Sequence, residues 1–145
     1  MASGRLKAID FTRVWSGARG DVRMSPGALA LYQEAIENAD ELSLKRRVHL
    51  ERYFREFCDN DDYIRRLNDQ KFKKEGNFPD GLGGAVAVYT FKAWKWRVYG
   101  AVMNVDARRC FVGMVVDPAK KRDKADRQKL KATAKLIAEL DEYHL

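Results

Sequence analysis

The chain has 145 residues, of which 46% are hydrophobic and 11% aromatic, and these values exclude a low-complexity or largely disordered polypeptide. The length suits one compact domain, and we expect a single domain over residues 1–145. The net charge is +7, and residues 81–145 carry +6 of it. A polyanionic partner that docks on the C-terminal half is therefore the first function to test.

Composition also limits the compartment and the cofactors. No apolar stretch approaches the ~18 residues of a membrane-spanning helix, and the first 20 residues lack the apolar segment of a secretory signal, so we expect a cytoplasmic protein without membrane contact. Cys58 and Cys110 have no CxxC spacing, which favours two reduced, buried thiols over a disulfide. Neither His49 nor His144 forms a zinc-ligand pair with them, and we expect no metal or cofactor.

The first half of the chain reads as helical after an ambiguous start. Residues 1–24 are compatible with a strand or a helical turn and form an extra N-terminal segment. Ser25 and Pro26 have the pattern of an N-cap and a first helical residue, and apolar spacing predicts a helix to about residue 39. A second helix is predicted from Ser43 to about Asp59, with His49 on its polar side as a surface residue.

The second half changes to strand chemistry. Segments 85–91, 96–103 and 110–116 are rich in β-branched and aromatic residues, and residues 104–107 have turn chemistry. Asp123 can cap a closing helix to about residue 140, with Leu130, Ala134 and Ile137 on its apolar side. We therefore predict an α+β fold with an N-terminal helical hairpin, an antiparallel β-sheet meander and a closing C-terminal helix.

Cations gather on the predicted central strand. Strand alternation puts Lys95, Arg97 and Tyr99 on one face, with Lys92 nearby on the preceding strand. Such a strand offers phosphate contacts beside a ring on which a base can stack, which predicts nucleic-acid binding. The alternative is an ordinary half-exposed sheet face with solvated charges.

Two further features lie near the end of the chain. A basic loop is followed by a basic stripe on the closing helix, and both are predicted to bind phosphates. The alternative for the stripe is a solvated helix face. The loop contains Lys120, Lys121 and Arg122, and the stripe contains Lys124, Arg127, Lys131 and Lys135. Tyr143 and His144 could supply acid–base groups if the tail folds over the sheet, and a frayed terminus is the alternative.

The segment order and two strings, FKAWKWRVYGAV and CFVGMVVDPAKKRDKADRQKLKATAKLI, resemble the RelE/HigB/ParE superfamily of bacterial toxin–antitoxin toxins, including phage-derived members. The resemblance is clearest over residues 72–137. It implies a helical hairpin, an antiparallel sheet with an "RV-aromatic" central strand, a basic loop and a closing helix. It further implies that Arg97 contacts an RNA phosphate and that Lys120, Lys121 and Arg122 form the basic loop. By position, Tyr143 and His144 match C-terminal catalytic side chains.

For the ribonuclease members, the resemblance implies metal-free cleavage of messenger RNA on the ribosome by attack of a 2′-hydroxyl on the adjacent phosphate. Arg97 and Lys121 would stabilise the developing charge, and Lys95, Tyr143 or His144 would transfer protons. The implied partners are RNA, the ribosome and an antitoxin with a helix-turn-helix domain. The alternative is a non-catalytic binder of the same fold, such as a gyrase inhibitor or an inactive descendant, because the paired lysines of some ribonucleases are Val88 and Thr90 here.

Overall fold

The computed structural model describes residues 6–38, 40–93, 95–118 and 126–144, and their arrangement has the predicted α+β class. In chain order the elements are β1 (Thr12–Ser16), β2 (Gly20–Met24), α1 (Pro26–Glu37), α2 (Glu41–Asp59), α3 (Tyr63–Arg66), β3 (Phe72–Pro79), β4 (Ala85–Ala93), β5 (Trp96–Val105), β6 (Arg108–Asp117) and α4 (Arg127–Ala138). Short 3₁₀ turns cover Ala8–Asp10 and Asp141–His144.

The sheet has six strands in the order β1-β2-β6-β5-β4-β3. Strands β3 to β6 form an antiparallel meander that contains the three predicted strands, but β2 pairs with β6 in parallel, so the predicted meander is only part of a mixed sheet. The helical pair does not begin the fold either, because the ambiguous N-terminal segment supplies the β1–β2 hairpin. Gly20 permits the close approach of β2 to β6, since a Cβ there would lie 2.5 Å from the Arg109 carbonyl oxygen.

Local signals explain most element boundaries. The Ser25 hydroxyl accepts a hydrogen bond from the Ala28 N–H at 3.2 Å, which confirms the predicted N-cap of α1. Helix α4 is capped by Asp126, whose carboxylate accepts from the backbone N–H groups of the next turn, rather than by Asp123, which lies outside the described residues. The β5–β6 turn has positive φ at both Asp106 and Ala107, as a type I′ turn requires.

Helices cover both faces of the sheet and create two cores. On one face, the rings of α1 and α2 pack against rings of the strands and form an aromatic cluster. This cluster includes Tyr32, Phe54, Phe57, Phe72, Phe91, Trp96 and Phe111. On the other face α4 packs its predicted apolar side against the strands; this core includes Val88, Tyr99, Val112, Leu130, Ala134 and Ile137. The alternation predicted for β5 is correct, since its even- and odd-numbered apolar residues divide between the two cores.

One irregularity interrupts the pairing of β5 with β6. Tyr99 pairs with Val115 while its neighbour Gly100 pairs with Gly113, so Met114 is an extra residue in β6 and forms a β-bulge. Gly100 is required here because a Cβ would lie 2.1 Å from the Val112 carbonyl oxygen. Beyond the bulge, Asp117 is the cross-strand partner of Arg97.

The two ends of the described chain are joined. Leu6 and Leu140 form an isolated parallel bridge, and the Glu142 carboxylate accepts from the N–H groups of Ala8 at 2.8 Å and Ile9 at 3.1 Å. The tail through His144 is therefore folded against the start of the chain rather than frayed. Its contacts tie the 3₁₀ turn before β1 to the turn after α4.

Both cysteines are free and buried, as predicted. Burial raises the pKa of Cys58 and of Cys110 to about 12, because a thiolate would lose its solvation in the core. Neither thiol is therefore activated as a nucleophile or a redox group at neutral pH.

A buried ion pair fixes the N-terminal hairpin. Asp21 on β2 is fully buried and accepts from the Ser16 hydroxyl at 2.6 Å and from Arg108 Nε at 3.1 Å. Burial alone would raise the pKa of Asp21, but the Ser16 and Arg108 hydrogen bonds outweigh it and lower that pKa below 3.8. The carboxylate thus links β1, β2 and β6.

We expect Asp21→Asn to reduce the free energy of unfolding at pH 7 by about 2–4 kcal/mol, because it leaves Arg108 without its charge partner. In the native chain this stabilisation is complete above about pH 3.8, the ordinary value, and is lost as the pH falls towards the lower folded-state pKa. Urea unfolding followed by circular dichroism at pH 7 and pH 3 measures both effects. Asp62→Asn, which removes an exposed pair with Arg66, is the control, and an equal loss in both variants would contradict the assignment.

Candidate nucleic-acid interface

Two of the predicted cations meet at one end of the sheet. Lys92 near the end of β4 and Arg97 at the start of β5 are direct cross-strand partners, so their side chains leave the same face of the sheet. Lys95 is exposed in the tight connection between them. Both Lys92 and Arg97 are half-buried, and Arg97 Nη1 donates to the carbonyl oxygen of Trp96 at 3.2 Å. The strand ends therefore hold cations in a defined position.

Helix α2 supplies the opposite wall of a groove of about 580 Å³ at this end. Its lining residues are His49, Tyr53, Gln70, Lys71, Lys92, Ala93 and Arg97. His49 and Tyr53 are one helical turn apart and so share a face of α2. Lys71 connects the walls, because its Nζ lies 5.6 Å from the centre of the Tyr53 ring and its carbonyl oxygen accepts from the Lys92 N–H at 2.8 Å.

Among the residues that the structure describes, the lining of this basic groove contains three cations and no carboxylate. Burial lowers the pKa of Lys92, and the positive charges of Arg97 and Lys73 add to that effect, while Glu75 and Asp69 oppose it. A bound anion would favour the charged amine by electrostatic attraction and so offset the burial and the repulsion that disfavour it. The groove is thus electrostatically prepared for a phosphate-sized anion.

Two carboxylates at this end of the sheet have partners of their own. Asp117 Oδ2 accepts from Lys129 Nζ at 2.7 Å, which joins the end of β6 to α4. Glu75 accepts from the Thr90 hydroxyl at 3.0 Å, and its other oxygen lies 3.8 Å from Lys73 Nζ. Neither of these two carboxylates lines the groove.

The predicted stacking role of Tyr99 is wrong. Tyr99 is 0% exposed, and burial raises the pKa of its phenol to about 12. The alternation argument placed it correctly on the face of Arg97, but α4 covers that face with Leu130 and Ile137. No base can reach the ring without displacement of the helix.

The predicted catalytic set is divided between the two ends of the sheet. The Tyr143 hydroxyl donates to Asp80 Oδ2 at 2.6 Å, and a ring nitrogen of His144 lies 2.7 Å from the Ala138 carbonyl oxygen. Asp80, the partner of Tyr143, precedes the first residue of β4, whereas Lys92, the cross-strand partner of Arg97, lies near the last residue of that strand. At roughly 3.3 Å per residue, about 20 Å of β4 therefore separates Tyr143 from Arg97. Tyr143 and His144 therefore cannot act on a phosphate held by Arg97, which corrects their assignment to the same site.

The basic stripe on α4 is present in part. Arg127, Lys131 and Lys135 are exposed and lie beside the buried residues of the helix, as predicted. None of the three lines the basic groove. The remaining predicted cations, Lys120, Lys121, Arg122 and Lys124, lie outside the described residues.

Sequence reasoning missed the α2 side of the groove. His49 was interpreted as a surface residue, and Tyr53, Gln70 and Lys71 were not singled out. The i,i+4 spacing of His49 and Tyr53 was visible, but nothing local places that helix face beside the β4–β5 connection. Among the described residues, no three His, Cys, Asp or Glu side chains cluster as metal ligands, and no helix there is long and apolar enough to cross a membrane.

Comparison with known proteins adds no relative: no family model, curated protein or solved structure matches this chain.

The folded tail yields a test of its structural role. The hydrogen bond from Tyr143 is the largest cause that lowers the pKa of Asp80 below 3.8, and it raises the pKa of the phenol in return. We expect Tyr143→Phe to raise the pKa of Asp80 towards its ordinary value, as measured by carboxyl NMR during a pH titration. Glu142→Gln, which removes a different tail contact, is the control. An unchanged Asp80 pKa in Tyr143→Phe would mean that the tail does not dock as described.

Proposed function

We propose that this protein binds RNA in the basic groove and cleaves it as a toxin of the RelE/HigB type. The observation that carries the proposal is the convergence of Lys71, Lys92 and Arg97 on one groove whose lining lacks a carboxylate. Polyanion affinity depends on such convergence, because each neutralised phosphate releases counterions. The proposal places the protein in the bacterial cytoplasm with messenger RNA and the ribosome as targets and a helix-turn-helix antitoxin as partner.

The groove favours a single strand over a duplex. Its volume of about 580 Å³ suits a nucleotide-sized group, and its walls come from a helix and a strand connection that leave no broad flat surface. Tyr53 lines it half-buried beside Lys71, so a base can stack near a cation that holds the backbone. Unpaired RNA offers both a free base face and an accessible phosphate.

The proposed reaction needs no metal. The 2′-oxygen attacks the adjacent phosphorus, the bond to the 5′-oxygen breaks, and a 2′,3′-cyclic phosphate forms. Negative charge builds on the non-bridging oxygens, where Arg97 and Lys92 would stabilise it. Arg97 suits this role because its planar guanidinium can donate two parallel hydrogen bonds to a phosphate.

A non-catalytic binder of the same fold is the second candidate. The docking of Tyr143 and His144 at the far end of the sheet favours it, since these tail residues then have no access to the bound phosphate. Such a protein would hold RNA, or inhibit DNA gyrase, without cutting a strand. The two candidates share the groove and differ in the chemistry that follows binding.

The binding step is tested with a single-stranded RNA oligonucleotide and Arg97→Ala. We expect about tenfold weaker binding by fluorescence anisotropy and a salt slope smaller by about one phosphate contact. Arg65→Ala is the matched control, because Arg65 is exposed on α3 and does not line the groove. A wild-type slope near zero, or equal effects of the two variants, would refute the proposed interface.

The cleavage step is tested on messenger RNA in translating bacterial ribosomes and on the free oligonucleotide. We expect products that end in a 2′,3′-cyclic phosphate, no cleavage of a 2′-deoxy substrate, and unchanged activity in excess chelator. Arg97→Ala should lower the rate at least a hundredfold. Tight binding with intact RNA, combined with arrested replication on expression, would instead support the gyrase candidate.

A further inference from the structure

The two histidines of the chain lie at opposite ends of the sheet. His144 belongs to the tail, where its ring is in contact with the Ala138 carbonyl oxygen. His49 lies on α2 and lines the basic groove opposite Lys92 and Arg97. It is half-buried and accessible from the groove.

Few groups in the groove can exchange a proton near neutral pH. The lining offers one imidazole, one phenol, two amines and one guanidinium, together with an amide that does not titrate. Imidazole is the side chain whose ordinary pKa lies between pH 5 and 8, and a proton-transfer group works best near the operating pH. His49 therefore has the side chain that proton transfer in the cleavage reaction needs, and it lies in the α2 wall of the groove that Lys92 and Arg97 also line.

We propose that His49 is the general base of the RNA cleavage reaction, an inference that rests on the proposed function. Its imidazole takes the proton from the 2′-hydroxyl as the 2′-oxygen bonds to phosphorus. The bond to the 5′-oxygen breaks, and that oxygen takes a proton from the Lys92 ammonium. Exchange with water then returns His49 and Lys92 to their starting states, so protons and charge balance over one turnover.

The surroundings of His49 support this role. The groove presents to it the cations Lys71, Lys92 and Arg97, with the Tyr53 phenol one turn away. On α2 itself the charged residues within one turn are Lys45, Arg46, Arg47, Glu51 and Arg52. The one carboxylate of these two sets, Glu51, accepts from the Tyr32 hydroxyl at 3.2 Å and lies 3.7 Å from Arg47 Nε. In the proposed reaction the groove cations hold the scissile phosphate, and with it the 2′-hydroxyl, near the imidazole.

The test compares His49→Gln with His144→Gln, a matched pair that uses the only two histidines of the sequence. We expect His49→Gln to slow cleavage by about 10²–10⁴-fold while RNA affinity stays within about twofold. It should also remove the limb of the pH–rate profile that an imidazole contributes between pH 5 and 8. His144→Gln should cleave within about threefold of the wild type. In His49→Gly, added free imidazole should restore part of the rate, which a purely structural role would not allow.

The outcomes separate this inference from the function on which it rests. Normal cleavage by His49→Gln, or a selective loss in His144→Gln, would overturn the role of His49 while leaving a ribonuclease. A wild-type protein that binds RNA in an Arg97-dependent manner but never cleaves it would overturn both the ribonuclease and its base, and would leave only the binding groove. Circular dichroism melting of each variant checks that lost activity is not lost folding.

Discussion

Coverage of the sheet on both faces is the constraint on which the rest of this structure depends. With α1 and α2 on one side and α4 on the other, almost every inward side chain of β4, β5 and β6 belongs to one of two cores. A polar group on such a strand reaches solvent only where the strand extends past its helices. Tyr99 and Arg97 differ by two residues and share a face, yet one is fully buried and the other lines a groove.

Because of the same constraint, α2 contributes both to the aromatic core and to the wall of the basic groove. Leu50, Phe54 and Phe57 anchor it in the aromatic core, where a ring pair such as Phe54 with Phe91, centred 4.9 Å apart, fixes its distance from the sheet. That anchoring positions His49 and Tyr53 above the β4–β5 connection. The geometry of the groove wall therefore depends on core contacts that involve no groove residue.

Sequence patterns predicted the features that depend on neighbouring residues, but they did not predict the contacts between segments that are distant in the chain. The cap at Ser25, the alternation of β5 and the apolar side of α4 follow from neighbouring residues and were predicted. The parallel pairing of β2 with β6 was not, because it joins segments almost 90 residues apart that carry no shared motif. Strand β3 was also missed, since the register shift near Gly76 breaks its alternation.

The candidate site also combines local and distant contacts. The Lys92–Arg97 pair follows from the single connection between β4 and β5, and it could be predicted from the sequence. The distance from Arg97 to Tyr143 could not, because it depends on the hydrogen bond between Tyr143 and Asp80, 63 residues earlier in the chain.

The β-bulge at Met114 has a consequence for the two faces of β6. Before the bulge the even-numbered residues face α4, and after it the odd-numbered ones do, which is why Val116 lies in the aromatic core and Asp117 contacts Lys129. A strand of the same length that paired without the bulge would exchange these two positions: Asp117 would lie opposite Trp96, and its carboxylate would point among the rings. The bulge, as much as the identity of the residues, therefore decides which layer of the fold receives the charge.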